Sequence, residues 1–119
     1  MPFVKIKQKA NRVKSTCKSV EKEKFYNTQQ WRDLKKQCIA KCFGIDVYSY
    51  YEYNLIEYGQ TVHHIKPVSE YPKLKADISN LIYLTESNHQ KIHKMMKDGI
   101  NPKLEQYIER FQKEFLLRG

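Results

Sequence analysis

The chain has 119 residues and carries 22 Lys and Arg against 13 Asp and Glu, a formal net charge of +9. Its length suits a single domain, and its 40% apolar content excludes intrinsic disorder because it suffices for a modest core. The longest apolar run covers only residues 81–84, which excludes a transmembrane helix or a signal peptide, so no membrane association is expected. Three cysteines without an export signal indicate a reducing, cytoplasmic environment. A chain this basic is expected to bind a polyanion, with nucleic acid as the first candidate.

The positive charge is concentrated at the start of the chain. Residues 1–24 hold eight basic and two acidic residues, a net of +6, whereas residues 25–119 hold 14 basic and 11 acidic residues, a net of +3. The first segment has few large apolar residues and no regular period, so we interpret it as a loosely ordered basic arm that precedes a domain at 25–119. The arm is either an electrostatic tether to phosphates or a solvated tail, and the sequence favours neither.

The first part of the domain predicts a helix followed by strands. Thr28 is a suitable N-cap, and apolar residues then recur at spacings of three and four, which predicts a helix over 28–42 that ends near Gly44. Residues 46–65 are rich in tyrosine and β-branched side chains. This composition is typical of strands, with turns near Asn54 and Gly59.

A loop, a strand and a helix follow. Residues 66–79 contain two prolines and several charges and predict a long ordered loop, and residues 80–84 predict a short strand. Thr85 or Ser87 then caps a helix that runs to about Lys97 and closes at the next glycine.

The last element is an amphipathic helix. The pair Asn101-Pro102 predicts its start, because proline is favoured at the first helical position. Its predicted apolar face consists of Leu104, Tyr107, Ile108, Phe111, Phe115 and Leu116. Together, these elements predict a compact α+β domain.

All four histidines lie between residues 63 and 93. His89 and His93 project from one face of the predicted helix, with Cβ atoms about 5–6 Å apart, so both imidazoles can bind one metal ion. His63 and His64 are neighbours on a predicted strand and point to opposite faces, so one can join the metal site while the other faces a substrate. We favour this interpretation over surface or capping histidines because four histidines share the arrangement.

These residues resemble the HNH endonuclease motif. The chain has Val-His-His-Ile-Lys-Pro at 62–67, Asn-Leu at 80–81 and His-Gln-Lys-Ile-His at 89–93, a layout similar to the ββα-metal site of nuclease colicins and phage-encoded HNH proteins. Phe-Tyr-Asn-Thr at 25–28, with Trp31 and Arg32, is also similar to the start of small phage HNH nucleases. The resemblance covers roughly residues 25–95. It implies a β-hairpin and a helix that form the metal site, flanked by additional helices.

The resemblance also implies a role for each matching residue. His63, His89 and His93 match the metal ligands, His64 matches the general base that activates water, and Asn80 matches the residue that holds the strand of the base in place. An imidazole is a base of suitable strength at neutral pH, and three neutral imidazoles leave the full charge of a divalent ion for a phosphate. Four nearby lysines are candidates for nucleic-acid binding, each equally explained as a solvated surface charge: Lys66, Lys73, Lys91 and Lys94.

Many HNH proteins bind a structural zinc through two Cys-x-x-Cys pairs, and this chain lacks the second pair. Thr85 and Asn88 stand at the positions just before His89. Cys38 and Cys42 lie four residues apart on a predicted helix, and we interpret them as small, buried apolar side chains. We therefore expect the flanking helices and the tyrosine-rich segment to stabilise the core in place of zinc.

The function implied by the resemblance is metal-dependent hydrolysis of DNA phosphodiester bonds, by nicking or double-strand cleavage, with 5′-phosphate and 3′-hydroxyl products. One divalent ion is expected, Mg²⁺, Mn²⁺, Ni²⁺ or Zn²⁺, and three imidazoles suit a transition metal better than Mg²⁺. The family also implies a phage or prophage origin, action in the host cytoplasm, and packaging partners such as a terminase. Two alternatives stay open: a non-catalytic, metal-stabilised nucleic-acid-binding module, and a ribonuclease that uses the same site.

Overall fold

The computed structural model describes residues 24–116, and the chain divides into two compact units at residues 1–32 and 33–119. In the described part of the first unit, the rings of Phe25, Tyr26 and Trp31 contact one another, with centroids 5.0 to 5.6 Å apart. Thr28 Oγ1 accepts a hydrogen bond from the Trp31 amide at 3.1 Å, which confirms the predicted cap. The predicted arm lies outside the described residues except for Lys24 and stays a prediction.

The first long helix, α1, spans Gln29–Lys41, close to the predicted range. Its end is marked by a hydrogen bond from the Gly44 amide to the Ile39 carbonyl at 2.8 Å, with Gly44 at a φ of +74°. Glycine suits this position because the left-handed backbone strains other residues. Cys38 and Cys42 are fully buried free thiols, as expected.

The prediction of strands directly after residue 46 is wrong, because Val47–Glu52 form a short helix, α2. Asp46 caps this helix: its Oδ1 accepts from the Ser49 amide at 2.8 Å. Val47 and Tyr48 are buried on its inner face. The cap and this burial outweigh the β-propensity of the tyrosine-rich run. They can do so because β-propensity reflects the packing context of a side chain more than a fixed backbone preference.

The sheet is an antiparallel hairpin of two strands, β1 at Thr61–His64 and β2 at Leu81–Leu84. Its register pairs His63 with Ile82 and His64 with Leu81. The connection between the strands is the predicted long loop, and it contains two short 3₁₀ helices, Pro72–Leu74 and Ile78–Asn80. Asn80 therefore immediately precedes β2 and lies next to the end of β1.

Helix α3 spans Glu86–Lys97 and packs on both strands. Thr85 is its cap, with Oγ1 accepting from the Asn88 amide at 3.1 Å. Helix α3 and the hairpin form the ββα unit that the sequence predicts. The α+β fold class is confirmed.

The last helix, α4, spans Leu104–Phe111 and continues as a π-helix over Gln112–Leu116. The predicted start at Asn101 is wrong by a few residues. Asn101 Oδ1 accepts from the Lys103 amide at 2.9 Å, and Lys103 has a φ of +66°, so the chain makes a turn before the helix begins.

Aromatic side chains join α2 to α4. The rings of Tyr51 and Tyr107 stack with centroids 5.5 Å apart, and Phe111 is 1% exposed beneath Tyr50 and Phe43. The predicted apolar face is thus buried at its centre, whereas Phe115 at its end is 39% exposed. Within residues 24–116, no helix is both long and apolar enough to cross a membrane.

Gly59 is required by the packing of the hairpin, because a Cβ at this position would overlap the ring of Tyr83 on β2. We expect Gly59→Ala to lower the free energy of unfolding by about 1–3 kcal/mol, the usual cost of overpacking. Urea denaturation of the variant measures this loss. In a Tyr83→Ala background the same substitution should cost much less, and an equal cost in both backgrounds would contradict the proposed overlap.

Candidate metal centre and its supports

Three histidines from the hairpin and α3 converge on one point. His63 lies on β1, and His89 and His93 lie one turn apart on α3, with ring centroids 4.5 to 5.2 Å apart. One ring nitrogen of each histidine can be chosen so that all three lie within 4.8 Å of one another. The Nε2 atoms of His89 and His93 are 3.0 Å apart.

The environments of His63 and His93 favour the neutral imidazole. Burial lowers the pKa of His63 to about 3, and the imidazoles of the other histidines act in the same direction. Burial also lowers the pKa of His93. A neutral imidazole has a lone pair for a metal, whereas a protonated one has none.

The three rings fit a divalent ion. His63 Nε2 is buried and has no hydrogen-bond partner among the described residues, which is costly for a polar atom unless a ligand completes it. Metal–nitrogen bonds of about 2.0–2.1 Å in a tetrahedral site place ligand nitrogens about 3.4 Å apart, close to the spacing of the His89 and His93 Nε2 atoms. His63 is buried and His93 is exposed, so the cluster opens to solvent on the His93 side.

His64 follows His63 on β1, and its side chain points to the other face of the strand. Its Nε2 lies 3.0 Å from the carbonyl oxygen of Lys75. A carbonyl only accepts hydrogen bonds, so Nε2 carries the proton and the lone pair of the neutral ring lies on Nδ1. Burial lowers the pKa of His64, and the hydrogen bond to Lys75 partly opposes that shift. The ring is thus held in one tautomer.

Asn80 is buried next to the end of β1, and its side chain forms hydrogen bonds with the backbone of Lys66 and Leu74. Its Oδ1 accepts from the Lys66 amide at 2.8 Å, and its Nδ2 donates to the Lys66 carbonyl at 3.1 Å and the Leu74 carbonyl at 3.3 Å. Its own carbonyl accepts from the Ile65 amide at 2.7 Å. Asn80 therefore fixes the chain directly after His64 and ties it to the loop that leads to Lys75.

The four candidate lysines have different surroundings. Lys66 Nζ lies 3.9 Å from Glu105 and 5.3 Å from the Tyr71 ring centroid, and Lys94 pairs with Asp98 at 3.3 Å. Lys73 is exposed on the first 3₁₀ helix.

Lys91 donates to the Tyr53 hydroxyl and lies over its ring. It also lies two residues from both His89 and His93, which places it on the opposite side of α3. Lys91 is therefore directed away from the histidine pair.

A fully buried carboxylate, that of Asp46, positions α3 and was not among the residues predicted from the sequence. Besides capping α2, Asp46 accepts through Oδ2 from the Thr85 amide at 2.6 Å and from Asn88 Nδ2 at 2.9 Å. Asn88 Nδ2 also donates to Ser49 Oγ at 2.8 Å. The spacing Asp46-x-x-Ser49 is a capping signal that was available in the sequence, but the contacts with Thr85 and Asn88 join residues about forty positions apart.

Comparisons with known proteins agree with this geometry. Residues 51–95 match the family model of HNH endonucleases, and this segment contains the four histidines and Asn80. The crystal structure of the HNH endonuclease from the deep-sea thermophilic bacteriophage GVE2, which contains a manganese ion, is similar to this chain with a TM-score of 0.65. The two share 18% sequence identity over 76% of this chain and 98% of the phage protein, which establishes a common fold. No curated protein sequence matches the chain.

We expect Asp46→Asn to lower the free energy of unfolding by about 2–4 kcal/mol. The new amide would turn an N–H group toward donors that now point at a carboxylate, which leaves buried donors unsatisfied. Chemical denaturation of the metal-free protein measures this effect. Asp98→Asn removes the same charge from an exposed pair and should change stability by less than about 1 kcal/mol. Equal losses in the two variants would contradict the role of Asp46.

Proposed function

We propose that this chain, whose residues 51–95 match the family model of HNH endonucleases, hydrolyses phosphodiester bonds of DNA with one divalent metal ion. The observation that carries the proposal is the convergence of His63, His89 and His93 within 4.8 Å, next to a histidine held in a single tautomer. We assign these three residues as the metal ligands. When bound, the ion supplies positive charge that stabilises the negative charge developing on the phosphate.

His64 acts as the general base in this proposal. Its Nε2 proton is directed to the Lys75 carbonyl, so Nδ1 is the atom that takes a proton from the attacking water. A ring fixed in this tautomer needs no rearrangement before it accepts the proton. The lowered pKa of His64 keeps the ring unprotonated at neutral pH.

Asn80 acts by positioning the base. It makes hydrogen bonds to both backbone polar groups of Lys66, two residues after His64, and to the Leu74 carbonyl next to Lys75. These bonds connect the strand of His64 to the segment whose carbonyl holds its ring. The amide itself does not titrate, so this support is constant over the working pH range.

The open side of the cluster favours an enzyme over a structural metal module. A structural site closes its shell with four protein ligands, whereas an active one keeps a position for substrate or water. Among residues 24–116, the group that could hold a metal comprises three histidines, and His93 is exposed. Three imidazoles favour a transition metal such as Mn²⁺, Ni²⁺ or Zn²⁺.

DNA is the proposed substrate, and a phage or prophage setting with DNA-packaging partners such as a terminase is the proposed context. The net charge of +9 supports a polyanionic substrate. The structural similarity to a bacteriophage HNH endonuclease supports the phage setting. Lys66 and Lys73, both on the connection between the strands, are the proposed phosphate contacts nearest His64 in sequence. Lys91 and Lys94 would contact more distant phosphates.

We expect His64→Ala to reduce the cleavage of supercoiled plasmid by at least about 100-fold, because a general base contributes about 10²–10⁴ to the rate. The assay follows nicked and linear DNA with Mn²⁺, Mg²⁺, Ni²⁺ or Zn²⁺, with EDTA as the inactive control. The variant should still bind metal as the wild type does. Cleavage by His64→Ala at the wild-type rate would remove His64 as the base, and single-stranded RNA tested in parallel separates a ribonuclease from a deoxyribonuclease.

The proposed arm should act through charge. We expect deletion of residues 1–24 to weaken binding of duplex DNA and to flatten its salt dependence, since the slope falls by about 0.9 for each phosphate that the protein no longer neutralises. A full-length variant with the eight basic residues of the arm replaced by Gln is the matched control and should behave as the deletion does. Wild-type affinity and slope in both proteins would show that the arm is not a tether.

A further inference from the structure

Glu86, the first residue of α3, has its carboxylate beside the histidine cluster. Its Oε2 lies 3.6 Å from His89 Nδ1. That nitrogen is buried and has no hydrogen-bond partner among the residues that the structure describes. The other nitrogen of the ring, Nε2, is the one 3.0 Å from His93 Nε2. One edge of the His89 ring therefore faces the proposed metal position, and the other edge faces a carboxylate.

The carboxylate of Glu86 is itself held in place. Thr61 Oγ1 donates to Oε1 at 2.8 Å, and Gln90 Nε2 donates to Oε2 at 3.2 Å. The Glu86 amide donates to Gln60 Oε1 at 2.9 Å, which fixes the start of the helix against the hairpin. Thr61 lies on β1, two residues before His63. Glu86 thus connects the strand that carries one histidine of the cluster with the helix that carries the other two.

We propose that Glu86 is a positioning residue for His89: its carboxylate accepts a hydrogen bond from Nδ1–H and thereby fixes the tautomer in which Nε2 carries the lone pair for the metal. A carboxylate in this position also makes the imidazole a better electron donor and restricts rotation of its ring. The present separation exceeds a charge-assisted hydrogen bond by about 0.8 Å. Thr61 holds Oε1, whereas Oε2 has only the longer bond from the exposed Gln90, so a small rotation of the carboxylate can close this gap while the bond to Thr61 is kept. The role rests on the metal site proposed above.

The geometry distinguishes this role from a general effect of negative charge. Without an acceptor at Nδ1, the neutral His89 ring can place its proton on either nitrogen, and the form protonated at Nε2 cannot bind the metal. Glu86 removes that form by accepting from Nδ1. An acidic residue elsewhere on the surface attracts a cation but does not select the tautomer.

The test is the affinity of the full-length, EDTA-treated protein for Mn²⁺ and Zn²⁺, measured by isothermal titration calorimetry without DNA. Glu86→Ala should weaken metal binding by about 10–100-fold, the usual effect of losing such a partner. Glu86→Gln keeps an oxygen that can accept the hydrogen bond from Nδ1–H but loses the charge. Its metal affinity should therefore lie between those of the wild type and Glu86→Ala. Thr61→Val keeps the charge but releases the carboxylate, and it should also weaken binding.

Two controls separate the possible outcomes. Glu109→Gln removes one negative charge from an exposed position on α4 and should leave metal affinity within about two-fold of the wild type. His93→Ala reports on the metal site itself, and if it binds metal as the wild type does, the proposed site is wrong. If His93→Ala loses binding while both Glu86 variants bind as the wild type does, the role of Glu86 is overturned and the proposed nuclease site stands.

Thermal melts of the metal-free variants show whether each one is folded. If Glu86→Ala does not fold, Glu86→Gln and Thr61→Val decide the question, because both substitutions closely preserve side-chain volume. Wild-type affinity in these two variants would overturn the proposal.

Discussion

The buried carboxylate of Asp46 organises the domain, since it accepts hydrogen bonds from α2, which it caps, and from a second segment about forty residues later. The Ser49 amide belongs to α2, the Thr85 amide belongs to the junction of β2 and α3, and Asn88 lies in the first turn of α3. A fully buried anion is stable only when its oxygens are satisfied, so these segments must come together as a set. Thr85 and Asn88 stand where the resemblance places a second cysteine pair, and in this chain hydrogen bonds connect the segments there.

The position of α3 determines whether the histidine on the hairpin meets the two histidines on the helix. Once the start of α3 is fixed, its helical period places His89 and His93 opposite β1, where the buried strand face presents His63. Alternation along β1 turns His64 away from this cluster toward the connecting loop, where its ring contacts the Lys75 carbonyl and Asn80 binds the Lys66 backbone. The neighbouring residues His63 and His64 thereby acquire different environments. That of His63 suits binding of a metal ion, and that of His64 suits acceptance of a proton.

Sequence reasoning predicted the elements whose signals are local. The Thr28 and Thr85 caps, the Gly44 helix end and the histidine spacing on α3 all depend on residues within one or two turns. It failed at α2, because the tyrosines there have strand propensity but pack against α4, more than fifty residues away. It also placed the start of α4 too early, because Asn101 bonds to the Lys103 amide in a turn before the helix.

The sequence by itself determined the candidate groups: a basic chain with four histidines and one asparagine in an order that resembles the HNH motif, and the ββα elements that carry them. Only the tertiary structure decided how those groups are supported. The contacts of the Asp46 carboxylate with Thr85 and Asn88, the Asn80 bonds to the Lys66 backbone, the Lys75 carbonyl at His64 and the bond from Thr61 to Glu86 are not visible in any short motif. Most of these contacts join residues distant in the chain, and backbone carbonyls and amides look the same in every sequence until folding gives them a direction.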